Sequence, residues 1–332
     1  MEDVHLEVTG TGAYLPEKVV KNEDFEGRLF YAYDGFGNRI GDGEEITSEK
    51  IYELSGIRER HYAARGETPS SMGTLAAIKA IDDSGTDPKD LVGIILATVS
   101  EKINFPSGAC KIQRALGNYY GIELSCEAED IAVACAGAVK GMINANSRVL
   151  RRKGNYLVVG AEDVSGMTED DDRNKFLFGA GAGAVVLTPI TGNKGIIREY
   201  SISNPYEGRD SWIIRDENNY LRMSEGRKVM KEAIKGMLFS VKKLKEDVGW
   251  DCADVYIPHQ ANGRILDKVE MGVARDGSIV YRNIDRTGNM SSATCLVALD
   301  DARKEGVVKK GSKVIMTSFG SGLVTSAVAI QF

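Results

Sequence analysis

Two stretches of the chain share one grammar. "NYLVVGAED…GAGAGAVVLTP" (155–189) and "SKVIMTSFGSGLVTSAVAIQF" (312–332) each give an apolar strand, a glycine-rich turn and a second apolar strand. Strands without polar alternation must be covered on both faces, so each unit demands helices above and below its sheet. Segments suited to that cover are present. "TPSSMGTLAAIKAIDDSG" has helical periodicity, a Ser/Thr start and a Gly stop, and leads into the branched apolar run "LVGIILATVS" (91–100). In the same way "PSGACKIQRALG" precedes "EAEDIAVAC", "AVKGMINANSRVLRRKG" precedes "NYLVVGAE", "GRKVMKEAIKGMLFSVKKLKEDVG" precedes "ADVYIPHQA", and "SATCLVALDDARKEG" precedes "KVIMTSFGSG". The alternation predicts an α/β fold in two halves of one topology, meeting near residue 190. Residues 27–50, "GRLFYAYDGFGNRIGDGEEITSEK", fit neither half. They read as a surface excursion or lid, or as a poorly ordered loop.

Bulk properties exclude several functions. A formal net charge of −6 over 332 residues argues against a nucleic-acid binder, which needs a broad basic face. The acidic start "MEDVHLEVTG" is no signal peptide, and no apolar run approaches a bilayer span, so membrane insertion is not expected. The five cysteines (Cys110, Cys126, Cys135, Cys252 and Cys295) are odd in number and show neither CxxC pairs nor metal-ligand spacing. That usage predicts a reduced, cytoplasmic protein without a metal site. Imidazole chemistry has three residues to draw on: His5, His61 and His259.

Cys135 lies in "DIAVACAGAVKGM" (130–142), where Asp130–Ala134 reads as a buried strand and Ala136–Met142 as the first turns of a helix. A thiol at a helix N-terminus sits near unpaired N–H groups and the positive end of the helix dipole, both of which favour thiolate. Its small neighbours leave room for a substrate carbonyl; the other reading is a small buried hydrophobe. His259, in "VYIPHQANGRIL" (255–266), falls at the carboxyl end of a strand, where open α/β sheets place their sites. Capping of the next helix is its alternative. Asn289, in "RTGNMSSATCLVAL" (286–299), follows a glycine and precedes a helix, a position that also suits an ordinary N-cap.

Taken in order, "DIAVACAGA", "IPHQANGRIL" and "TGNMSSAT" resemble the Cys–His–Asn set of the β-ketoacyl-ACP synthase III condensing enzymes, on the thiolase fold. "SGIRERHYA" (55–63), "FPSGACKIQRALG" (105–117), "FGAGAGAVVL" (178–187) and the terminal "FGSGLVTSAVAIQF" extend the match to nearly the whole chain outside 27–50. The resemblance implies a five-layered α-β-α-β-α sandwich of duplicated halves. Residues 1–190 would carry the nucleophilic cysteine and 191–332 the histidine and asparagine. It implies a decarboxylative Claisen condensation in which Cys135 takes an acyl group from acyl-CoA or acyl-ACP and malonyl-ACP then loses CO2. His259, through Nε2–H, and Asn289, through its side-chain NH2, would hold the thioester oxyanion; the backbone N–H groups of Cys135 and Ser321 would hold the second. No metal or redox cofactor is required.

Further positions follow from the same match. Asn262, Arg173, Gly226 and Arg227 fall at substrate and pantetheine contacts. Arg264 and Lys268, one helical turn apart, form a docking patch for an acidic acyl carrier protein, or else a solvated helix face. Phe105 matches a residue that reaches across a homodimer interface to line the partner's acyl pocket; the alternative is a core phenylalanine. The chain also departs from the family. Lys50 and Ile51 stand near the place of a tryptophan that stacks on adenine, Leu54 replaces an arginine, Ala180 an aspartate, and Ser321 a glycine. Losing the aromatic partner removes on the order of 1–2 kcal/mol from a coenzyme A donor. The expectation is therefore a specialised condensing enzyme of lipid or secondary metabolism, fed by a carrier protein or a longer-chain donor. Its rivals are an acyltransferase of the same fold that does not decarboxylate, and a non-catalytic partner subunit.

Overall fold

The structure, a computed structural model, describes residues 4–103, 105–273 and 277–332. The first part of the chain forms β1 (Val4–Tyr14), β2 (Lys18–Lys21), β3 (Leu29–Tyr33), β4 (Arg39–Glu45), α1 (Ser48–Ser55), β5 (Glu59–Tyr62), α2 (Pro69–Ser84), β6 (Leu91–Ala97) and α3 (Gly108–Tyr120). Next come β7 (Glu127–Ile131), α4 (Gly137–Arg148), β8 (Asn155–Asp163), β9 (Ala180–Thr191), β10 (Gly195–Ser203), β11 (Ile213–Arg215), β12 (Leu221–Met223) and α5 (Gly226–Val248). The chain closes with β13 (Val255–Pro258), α6 (Gly263–Val273), β14 (Ile279–Val280), α7 (Ile284–Thr287), α8 (Thr294–Lys304), β15 (Lys313–Gly320) and β16 (Val324–Gln331).

Two five-stranded sheets run β1-β9-β8-β6-β7 and β10-β16-β15-β13-β14. In each, the third to fifth strands are parallel and the first two are added antiparallel, so the sheets match strand for strand. Buried helices separate and cover them. Met142 of α4 and Leu299 of α8 sit between the sheets, against Val158 on one side and Met316 on the other. Helices α2 and α3 cover the outer face of the first sheet and α5 and α6 that of the second, completing the α-β-α-β-α sandwich. Continuous apolar strands are stable in this arrangement because both faces leave water, at about 25 cal/mol per Å² of apolar surface. Among the described residues no helix is long and apolar enough to cross a membrane.

Two local expectations change, and a third is narrowed to one of its two readings. The strand before Cys135 stops at Ile131 and is half-buried, not buried, because β7 is the outermost strand of its sheet. β6 ends at Ala97; the Thr98 N–H still donates to the Ile131 carbonyl of β7 at 3.2 Å, while the Thr98 and Ser100 hydroxyls turn to the buried carboxyl of Glu162. Residues 27–50 form an ordered excursion, with β3 and β4 paired as an antiparallel hairpin that continues into α1.

Candidate active site

The turn between β7 and α4 delivers Cys135. Ala134 holds φ 44°, a left-handed conformation that costs a side-chain-bearing residue of order 1 kcal/mol and bends the chain sharply before the helix. The second sheet clamps this turn. The Ser318 hydroxyl donates to the Cys135 carbonyl at 2.6 Å. Gly320 lies so close that a Cβ there would sit 2.8 Å from the Cys135 nitrogen and 3.0 Å from that of Ala136. Only glycine allows that approach of two backbones.

The protonation state of the thiol corrects the expectation from sequence. A hydrogen bond with Ser291 pulls its pKa down, but burial dominates and, with the nearby Glu162 carboxylate adding to it, pushes the thiol up to about 11. Burial takes the sulfur out of water, and that disfavours the charged thiolate. The resting group is a thiol. Its alkylation by iodoacetamide should therefore rise about tenfold per pH unit between pH 7 and 10 and level only near pH 11. A plateau below pH 8, read by peptide mass, would reveal a stabilised thiolate and refute this.

His259 leaves β13 at its carboxyl end, pinned by its N–H to the Thr317 carbonyl of β15 at 2.8 Å. It is 2% exposed, and burial pushes the imidazole down to about 3, so the ring is neutral at physiological pH. Its Nδ1 lies 2.6 Å from the hydroxyl of Thr294, the first residue of α8, and that hydroxyl also reaches the Ser291 carbonyl at 3.0 Å. The Asn289 amide is oriented by its surroundings. Its Oδ1 accepts the Ser291 N–H at 2.9 Å and its Nδ2 donates to the Ala261 carbonyl at 3.3 Å. Ser291, like Ala134, has a positive φ, 48°. Strained backbone thus stands next to Cys135 and two residues after Asn289.

Cys135, His259 and Asn289 line one cavity of about 240 Å³, whose remaining wall is largely apolar, with Phe178, Met223 and Phe319 prominent. Asn262 and Gly226 also line it. The Asn262 amide donates to the Leu54 carbonyl at 3.0 Å, which ties the lining to α1. Arg173 and Arg227 are exposed, each adjacent in sequence to a lining residue, Asn174 and Gly226. Arg264 and Lys268 are exposed on α6, and the Arg264 Nε donates to the Glu53 carbonyl at 3.0 Å. Ser321 sits in the β15–β16 turn with its hydroxyl on the Ile213 carbonyl at 2.6 Å; the cavity is lined by its neighbour Gly320, the last residue of β15. Phe105 is 91% exposed, which excludes a core phenylalanine. Ile51, near the family tryptophan's place, is fully buried beneath the excursion. His61 is occupied elsewhere, its Nδ1 2.6 Å from the Pro16 carbonyl.

Sequence reasoning missed Ser291, Thr294, Gly320 and the lining contributed by β11 and β12. Ser291 and Thr294 stand two and five residues after Asn289, inside a motif that was read for its asparagine alone. The spacing that turns them toward sulfur and imidazole depends on the irregular turn at Ser291 and carries no periodic signal.

Known proteins resemble this chain along its length. The family model described as 3-oxoacyl-[acyl-carrier-protein] synthase III matches residues 129–205, and the model of that family's C-terminal part matches 245–332. A β-ketoacyl-[acyl-carrier-protein] synthase III of Caldanaerobacter subterraneus subsp. tengcongensis is 33% identical over 347 residues, covering 100% of this chain and 99% of that protein. One from Methylococcus capsulatus is 35% identical, covering 98% of each. The crystal structure of the Aquifex aeolicus 3-oxoacyl-[acyl-carrier-protein] synthase III superposes with a TM-score of 0.86 at 33% identity, covering 98% of this chain and 100% of that one. With relatives at this identity matching it end to end, the chain belongs to the β-ketoacyl-[acyl-carrier-protein] synthase III family and is a condensing enzyme of the thiolase fold.

Proposed function

We propose that Cys135 accepts an acyl group and that His259 and Asn289 then drive decarboxylation of a malonyl group borne on an acyl carrier protein. The nucleophile belongs to the half 1–190 and both donors to the half 191–332. The observation that carries this reading is the convergence of a thiol, a neutral imidazole and an oriented amide on one apolar cavity. In loading, the Cys135 sulfur bonds to the acyl carbon, the donor's C–S bond breaks, and the thiol proton ends on the departing donor thiol. In condensation, the malonyl C–CO2 bond breaks and its electrons pass into the thioester carbonyl. His259 Nε2–H and the Asn289 NH2 stabilise the resulting oxyanion. This role requires the Nε2–H tautomer, in which the Thr294 hydroxyl gives its one hydrogen to Nδ1 at 2.6 Å in place of the Ser291 carbonyl. The carbanion attacks the acyl-Cys135 carbonyl, whose oxyanion meets the N–H groups of Cys135 and Ser321. The C–S bond to Cys135 breaks, and the released thiolate takes up one proton. Ser321 stands outside the residues with positive φ, so serine in place of glycine adds no backbone strain there.

The donor is carrier-borne. Near the place of the adenine-stacking tryptophan stand Lys50, which is exposed, and Ile51, which is buried, and neither offers an aromatic face, which disfavours coenzyme A. Arg264 and Lys268 would receive the acidic carrier, while Asn262, Gly226, Arg173 and Arg227 border the path of its pantetheine arm. Exposed Phe105 suits a homodimer in which it enters the partner's acyl pocket. A priming β-ketosynthase from the R1128 polyketide pathway, 26% identical with a TM-score of 0.84, lends weight to a specialised rather than housekeeping role.

The test offers the enzyme acyl-CoA and acyl-carrier donors, reads the mass shift on Cys135, then adds malonyl-carrier and measures CO2. Expected are loading chiefly from the acyl-carrier and release of one CO2 per β-ketoacyl product. Loading without CO2 release would instead favour transfer to another nucleophile. In the same assay Arg264→Glu should raise KM for the carrier about tenfold with kcat little changed, the signature of a steering contact. Sedimentation should give twice the chain mass; a monomer would remove Phe105 from the acyl pocket.

A further inference from the structure

The hairpin β3–β4 does more than fill surface. It grips both of the irregular segments that wall the cavity. On one side, the Tyr31 N–H donates to the Asp171 carbonyl at 2.7 Å and the Tyr31 carbonyl accepts the Arg173 N–H at 2.9 Å. The hairpin strand is thereby stitched to the segment that supplies Asn174 and Leu177 to the lining. The Tyr33 hydroxyl donates to Asp171 at 2.7 Å, and Arg39 pairs with the same carboxylate. On the other side stands Arg222, 1% exposed in β12, between Leu221 and Met223, both of which line the cavity. Its guanidinium is ion-paired to Asp216 and to Glu169, each at 2.7 Å, and reaches Asp172 at 3.5 Å. Tyr33 covers it from the hairpin, its ring 4.3 Å from the guanidinium carbon. Gly37, at φ 82°, brings the hairpin turn so near that a Cβ there would lie 2.9 Å from Asp216 Oδ2.

The tip of the excursion, the 169–177 segment and the β11–β12 pair therefore form one body, joined at a buried cation. β11 and β12 pair with each other alone, as a two-stranded ribbon outside either main sheet, and such a ribbon is marginal by itself. Its rigidity must be supplied by what packs on it. We propose that Tyr33 is a positioning residue for acyl-group selection: by seating Arg222 it holds Ile213, Leu221 and Met223 against the cavity and so caps the length of acyl chain that Cys135 accepts. This rests on the acyl-Cys135 reading above, and deepens it. Tyr33 touches neither Cys135 nor His259, so its loss changes the shape of the cavity and leaves the chemistry of loading intact.

The test compares loading of Cys135 across saturated acyl-carrier donors of increasing length, by intact mass, in the wild type, in Tyr33→Ala, in Tyr33→Phe, and in a variant whose Leu29–Glu45 hairpin is replaced by a short Gly-Ser linker. In Tyr33→Ala and in the linker variant, the ratio of loading by donors beyond the wild-type limit to loading by the best wild-type donor should rise at least tenfold. Tyr33→Phe keeps the ring over Arg222 and should restore the wild-type profile. A folded Tyr33→Ala protein, with a wild-type circular-dichroism spectrum, that shows an unchanged length profile would overturn the proposal. So would an equal loss at every length. If the wild type takes no acyl group from any donor, the acyl-Cys135 reading itself has failed, a result distinct from both.

Discussion

Replacing Cys135 with alanine should abolish covalent loading from every acyl donor. Nucleophilic catalysis requires an atom that can bond to the acyl carbon and later leave, and an alanine methyl can do neither. No nearby thiol offers a substitute on the same wall. Cys295 is fully buried with its sulfur directed at the Thr317 carbonyl, and Cys110 is exposed on α3. The substitution removes one atom from a half-buried position, so the fold should survive and the melting temperature should move by only a few degrees. Intact mass after incubation with acyl-carrier reads the outcome. An adduct that persists on the alanine variant would place the nucleophile elsewhere and remove the basis for the rest of the mechanism.

The second large effect concerns the two donors. His259→Ala and Asn289→Ala should each lower the condensation rate by about 10²- to 10³-fold, the usual cost of one oxyanion donor, while acyl loading continues at a measurable rate. The double variant should lose less than the product of the single losses, because both groups serve one oxygen. Single-turnover measurement separates loading from CO2 release. A His259→Ala enzyme that condenses at the wild-type rate would sink the donor assignment. The pH profile provides an independent check. Burial holds the His259 pKa near 3, so the donor is neutral throughout the physiological range. Condensation should show no acid limb at pH 6–7, where an exposed histidine would titrate.

The legible part of the fold was the part with period. "LVGIILATVS" and "NYLVVGAE" are apolar on both faces and so require helices on both sides, which is the layer order observed. Cys135, His259 and Asn289 were legible as residues at the ends of elements, each with an ordinary alternative reading. Their meeting in one cavity depends on where the two sheets stack, because Gly320 and Ser318 of one half reach the Cys135 turn of the other. No local pattern encodes a contact across 183 residues. The family resemblance covered what the excursion lacks; nothing in "YAYDGFGNRI" announced that Tyr33 would seat a buried arginine from β12.

The sequence by itself determined the duplicated α/β architecture, the burial of its strands and the identity of the residues available for acyl chemistry, because hydrophobic period and residue type are local quantities. Tertiary structure decided the state of those residues. Desolvation pushes the Cys135 thiol up and keeps His259 neutral. Packing also decided that residues 27–50 become a hairpin clamped to the cavity walls, through Tyr31, Tyr33 and Arg222. Dielectric environment and long-range contact arise only when distant segments exclude water together, and for that reason neither could be read from neighbours along the chain.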